Sequence, residues 1–146
     1  MDATIKKELL ALARKYCVKS RFVNCGDFGG KYDCNKKVII INSLAACTRK
    51  EALSIFFHEL GHWYCCCNNL WKNYHYPSRG INYDKILRIA LKAERFVDRW
   101  AKNEMAKYCN LQFDGMYINQ DSFCRDYSAN YLRKYLIKYF KQRKIS

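Results

Sequence analysis

The chain has 146 residues, half of them apolar and 16% aromatic, which excludes a disordered chain and allows one domain with a sizeable core. No run of eighteen apolar residues occurs, and the start Met1-Asp2-Ala3-Thr4-Ile5-Lys6-Lys7 lacks the apolar centre of a signal peptide, so neither a membrane partner nor a secreted precursor is expected. The net charge of +14 points to an acidic partner, nucleic acid or an acidic protein, with a bias towards AT-rich codons (Lys, Asn, Ile, Tyr, Phe) as the competing cause.

In chain order, Asp2 or Thr4 caps a first helix that carries Ile5, Leu9, Leu10, Leu12 and Tyr16 at helical spacing and ends near Cys17 to Lys19. Arg21 to Asn24 reads as a short strand, and Gly26, Gly29 and Gly30 mark a turn or bulge. Lys31 to Asp33 and Asn35 to Lys37 lead into Val38-Ile39-Ile40-Ile41-Asn42, the clearest strand of the chain. These segments predict a small antiparallel sheet. Thr48-Arg49-Lys50-Glu51 is a capping box, so a helix is expected from Thr48 to about Asn68. Asn69 to Asn82 is an aromatic loop with the only proline, Pro77. A third helix is expected from Tyr83 to about Tyr108, then a loop or short hairpin from Leu111 to Gln120 with Asp114-Gly115 as its turn. Asp121 or Ser122 caps a last helix to about Arg143. That helix bears Phe123, Tyr127, Tyr131 and Tyr135 amid basic residues, a solvated face in the plain reading and a nucleic-acid surface in the sharper one. Without a repeat or linker, residues 1–146 read as one α+β domain: a small sheet packed on a helix pair, with N-terminal and C-terminal helices.

The nine cysteines are odd in number, and Cys65-Cys66-Cys67 are consecutive, which suits neither a disulfide framework nor a C-x-x-C zinc knuckle. They read as reduced thiols in a cytoplasmic protein.

The chemistry sits in His58-Glu59-Leu60-Gly61-His62, an H-E-x-x-H pattern. Residues four apart on a helix share a face, so both imidazoles can grip one ion while Glu59 reaches a water on it. The plainer alternative is two core histidines and an unrelated carboxylate. A catalytic zinc site needs at least one more protein ligand. The third helix offers Glu94, and Asp98 four residues on shares a face with Ala90, Ala93, Val97 and Ala101, small residues that permit close helix approach. In this division of roles Glu94 coordinates Zn2+ and Asp98 accepts the outer N–H of a ligand histidine.

His58-Glu59-Leu60-Gly61-His62 followed by Glu94-Arg95-Phe96-Val97-Asp98 resembles the gluzincin arrangement of thermolysin-type peptidases. With Arg99-Trp100-Ala101 added, it resembles more closely the ImmA/IrrE family of small metallopeptidases, which includes phage-encoded members. The resemblance covers residues 20–105. It implies one Zn2+ held by His58, His62 and Glu94, Glu59 as the base that activates a zinc-bound water, Asp98 behind a ligand histidine, and hydrolysis of a peptide bond in a protein substrate, in the host cytoplasm if the gene is a phage's. The chain departs from the family at Val97, where alanine is usual, in lacking the later Leu-x-Pro and a helix-turn-helix domain, and in its long aromatic loop. Those departures bear on the substrate more than on the metal.

His75 competes for the third place, as in SprT-like proteases that act on protein–DNA adducts, and the charge of +14 suits that alternative. His75, Tyr74, Tyr76 and Tyr117 are candidates by residue type for oxyanion or substrate contacts. A third alternative is a non-catalytic binding module on the same scaffold.

Overall fold

The computed structural model describes residues 1–71, 83–115, 117, 132–134 and 136–137. Its elements are α1 (Ala3–Lys15), β1 (Lys19–Val23), β2 (Gly30–Asp33), β3 (Val38–Asn42), α2 (Arg49–Cys67) and α3 (Tyr83–Tyr108). The class is α+β, as the sequence predicts.

Local chemistry sets the helix starts. The Asp2 carboxylate accepts the Thr4 N–H and caps α1. At α2 the capping box closes in both directions: the Thr48 N–H donates to Glu51 Oε2 at 2.8 Å, and the Glu51 N–H donates to Thr48 Oγ1 at 3.2 Å. That reciprocal pair fixes the phase of α2, and with it the directions in which His58 and His62 leave the helix.

The sheet is mixed, which corrects the expectation of an antiparallel one. The strand order is β1-β3-β2, with β1 parallel and β2 antiparallel to β3. The hairpin between β2 and β3 is tight, with the Asp33 carboxylate accepting the Lys36 N–H at 3.0 Å, so those strands must run oppositely. The link from β1 to β2, residues 24–29, instead carries the chain past the end of β3. β3 therefore becomes the centre, flanked by two strands that run opposite to each other. It is also the strand with most to gain from burial: Ile39 and Ile41 are fully buried.

Those isoleucines face a core shared with Leu9 and Leu12 of α1 and Leu53, Phe56, Phe57 and Leu60 of α2. α2 packs on α1, β2, β3 and α3, so it is the hub of the fold. A second cluster joins Ile86 and Ala90 of α3 to Tyr117, Leu132 and Leu136. Residues 132–134 and 136–137 are helical; the rest of the last predicted helix, with Phe123, Tyr127, Tyr131 and Tyr135, lies outside the described residues. None of the described helices is long and apolar enough to cross a membrane.

Cys34, in the β2–β3 turn, is disulfide-bonded to Cys66 in the last turn of α2, which corrects the reading of all nine cysteines as reduced. Successive helical side chains leave about 100° apart, so three adjacent cysteines point three ways. Cys65 enters the core, Cys66 meets Cys34 and Cys67 is exposed. Burial first, and the charge of Glu94 second, raise the Cys65 thiol to about 11.

Candidate metal centre

α3 reaches α2 at a glycine. A Cβ on Gly61 would lie 2.8 Å from Val97 Cγ1 and 3.2 Å from the Val97 carbonyl oxygen, so only glycine admits α3 at this depth. Glu94 and Asp98 flank Val97 in sequence, and the crossing delivers both carboxylates to the histidine face of α2.

Three ligand atoms converge there. His58 Nε2 and His62 Nε2 are 3.2 Å apart, and Glu94 Oε2 lies 3.2 Å from the first and 3.3 Å from the second. Tetrahedral zinc with bonds of about 2.0–2.1 Å has ligand–ligand edges of about 3.3–3.4 Å. The observed triangle is one face of such a tetrahedron, with the fourth corner left for another ligand.

Proton placement makes the case stronger. His58 Nδ1 lies 2.7 Å from Asp98 Oδ1, inside a site where Asp98 is only 1% exposed. A carboxylate can only accept, so Nδ1 carries the proton and donates it. In its neutral form His58 turns a bare lone pair at Nε2 towards Glu94; protonated, it donates to that carboxylate instead. Glu94 Oε2 is buried with the two imidazole nitrogens beside it. With His58 neutral the crowded acceptors repel one another, and a proton or a cation between them removes the conflict. His58, His62 and Glu94 are thus able to hold a metal ion, and among the described residues they are the group of His, Cys, Asp and Glu side chains whose ligand atoms lie within 4.8 Å of one another.

The surroundings hold this arrangement. Asp98 Oδ2 accepts the backbone N–H of Tyr117 at 2.7 Å, and the Tyr117 ring stacks on His58 with centroids 5.9 Å apart. Trp71 stacks on His62 at 5.5 Å. For Glu94, burial works against its charge, but the facing His62 and His58 outweigh it and hold the carboxyl far below the usual range. For His58, burial opposes the charged form, and the hydrogen bonds to Asp98 and Glu94 reverse that and raise it well above its ordinary value.

Glu59 is 6% exposed, and burial pushes its pKa up, partly offset by the two imidazoles and by a hydrogen bond from the Tyr32 backbone. β2 comes close enough for that bond because Gly30 has no side chain. A Cβ there would lie 2.6 Å from Ile55 Cγ2 and 2.9 Å from Glu59 Cγ.

His58, Glu59, His62, Glu94 and Asp98, which the sequence points to, therefore meet in one place, with Tyr117 beside them. His75, Tyr74 and Tyr76 lie outside the described residues. Sequence reasoning missed Asn42, which reads only as the polar end of a strand. Its buried side chain donates to the carbonyls of Gly26 at 3.1 Å and Phe28 at 3.0 Å and accepts the Leu44 N–H at 3.1 Å. One side chain thus holds the loop before β2 beside the site. The available signal is an amide side chain closing an apolar run just after a glycine-rich loop.

Comparison of the chain with protein-family models, curated proteins and solved structures finds no match.

Proposed function

We propose that this protein is a zinc-dependent endopeptidase of gluzincin type, with His58, His62 and Glu94 as ligands and Glu59 as general base. The single observation that supports it most is the triangle of zinc-sized edges formed by His58 Nε2, His62 Nε2 and Glu94 Oε2, with Asp98 accepting from His58 Nδ1 at 2.7 Å behind it. A zinc ion held there supplies a Lewis acid that polarises a carbonyl and acidifies a water at neutral pH.

The chain's own groups do the rest. Glu59, with its pKa raised by burial, takes the proton of the attacking water and hands it to the leaving amine. Asp98 keeps His58 oriented throughout. Tyr117, whose side chain lines the same cavity as His58 and Glu59, is the candidate donor to the oxyanion. β2 is an edge of the sheet beside Glu59, suited to an extended peptide added as a further strand. The substrate is a protein or peptide.

The test compares metal content and cleavage across four proteins. Wild type and Glu59→Gln carry one equivalent of zinc; only wild type cuts a denatured protein substrate. Glu94→Ala loses the zinc, and His75→Ala keeps it. Zinc retained by Glu94→Ala and lost by His75→Ala overturns the ligand set in favour of a SprT-like site. Cleavage that survives in Glu59→Gln removes the proposed base.

A further inference from the structure

A cavity of about 540 Å³ opens beside His58 and Glu59. It falls within the roughly 300–1,000 Å³ usual for ligand sites. Both of its walls hang on buried polar side chains. Asn42 secures the Gly26–Gly29 side. Ser54, which accepts the Asp114 N–H at 3.0 Å, and Asp98, which accepts the Tyr117 N–H, secure the other. Phe28, Ala45, Ile55 and Phe113 supply apolar lining.

The charges in this lining run against those of the chain. Lys and Arg number 27 against 13 acids overall, yet among the described residues the cavity is lined by Asp27, Glu59, Asp98 and Asp114 and by neither lysine nor arginine. Glu59 and Asp98 belong to the candidate centre. Asp27 and Asp114 do not, and both are exposed. Lys50 approaches Asp114 at 3.7 Å, but with side chains 44% and 55% exposed this is a weak pair, which leaves Asp27 the stronger determinant.

We infer that this cavity receives the substrate side chain flanking the scissile bond and that Asp27, assisted by Asp114, selects lysine or arginine there. The placement beside the scissile bond rests on the peptidase reading; the preference for a cation rests on the cavity itself. A lysine or arginine lays its methylene stem along the apolar walls and brings its charge to the acids. The basic surface elsewhere does not cancel this attraction, because exposed charges are screened beyond about 8 Å at physiological salt.

The probes are capped octapeptides identical but for one central lysine, norleucine or glutamate. Binding to zinc-loaded Glu59→Gln is read from amide shifts in the nuclear magnetic resonance spectrum, and cleavage by zinc-loaded wild type from mass spectrometry. The lysine peptide is expected to bind at least ten-fold more tightly than the norleucine peptide, with shifts at Asp27, Gly29 and Asp114. Adding Asp27→Asn and Asp114→Asn brings that ratio close to one, and Asp27→Glu preserves it. Equal binding of lysine and norleucine peptides, or a ratio untouched by the double substitution, overturns the inference even if peptides are cut. Selective binding without any cleavage by wild type leaves the cavity assignment standing and removes the peptidase reading instead. Absence of both binding and cleavage overturns the two together.

Discussion

His58 shows how much one proton position decides. Its Nδ1–H is tied to Asp98, so in the neutral ring the other nitrogen is free to bind the proposed cation. Replacing Asp98 by Asn keeps the shape but removes the negative charge that makes the imidazole a strong ligand. Zinc affinity of Asp98→Asn, measured by competition with a chromophoric chelator, is expected to fall about 10–100-fold. Unchanged affinity removes Asp98 from the site. The five residues of this centre were legible in the sequence because their chemistry lies in fixed helical spacings, His58 to His62 and Glu94 to Asp98. Asn42 was not legible. Its partners are backbone carbonyls 14 and 16 residues away, and a carbonyl leaves no mark in a sequence.

Among elements, the meeting of α2 and α3 governs everything the site does. Gly61→Ala gains about 1 kcal/mol of helix propensity but sets a methyl against Val97, an overpacking that costs about 1–3 kcal/mol. The variant is expected to bind zinc less tightly because α3, and Glu94 with it, is pushed outward. Adding Val97→Ala should restore part of the affinity, since alanine removes the Cγ1 contact while the Val97 carbonyl oxygen stays; absence of any rescue places the defect elsewhere. The starts of α1 and α2 were legible because caps write them, at Asp2 and at Thr48 with Glu51, and α3 runs over the predicted Tyr83–Tyr108. Strand order was not, because pairing depends on where residues 24–29 carry the chain, and a loop sequence does not state its direction. A second inter-element tie joins three helices at Glu8. Arg49 donates to it at 2.7 and 2.9 Å, and the Tyr108 hydroxyl at 2.7 Å. The Arg49 hydrogen bond lowers the Glu8 pKa most, against burial, and Tyr108 lowers it further. A depressed carboxyl stabilises fully above its ordinary value of 4.5, and that contribution fades as pH falls through the folded value. Glu8→Gln, compared with wild type by urea denaturation of the metal-free proteins, is expected to cost about 1 kcal/mol at pH 7. The gap should close as the pH drops well below 4.5; a gap that persists in acid assigns the loss to packing.

For the whole molecule, a disulfide and the proposed ion would fasten one assembly. The Cys34–Cys66 disulfide, with a sequence separation of 32, closes a ring that includes His58, Glu59 and His62, while Glu94 lies outside it. A ring of that size restrains the unfolded chain by about 3–4 kcal/mol on the loop-entropy account. Unfolding curves with and without reductant, and with and without chelator, should therefore show a lowered midpoint from either agent and the lowest from both. No change on reduction in the metal-free protein contradicts this. Oxidation pre-organises the helix that offers two of the three ligands, so the oxidised chain should grip its ion more tightly than the reduced one. Reciprocity then requires the converse, by the same factor: a loaded protein yields its sulfur bridge to glutathione less readily than an empty one. If the proposed ion is bound, thiol chemistry at one end of α2 and ion occupancy near its middle report on each other, and starving the protein of metal would also loosen its covalent tie.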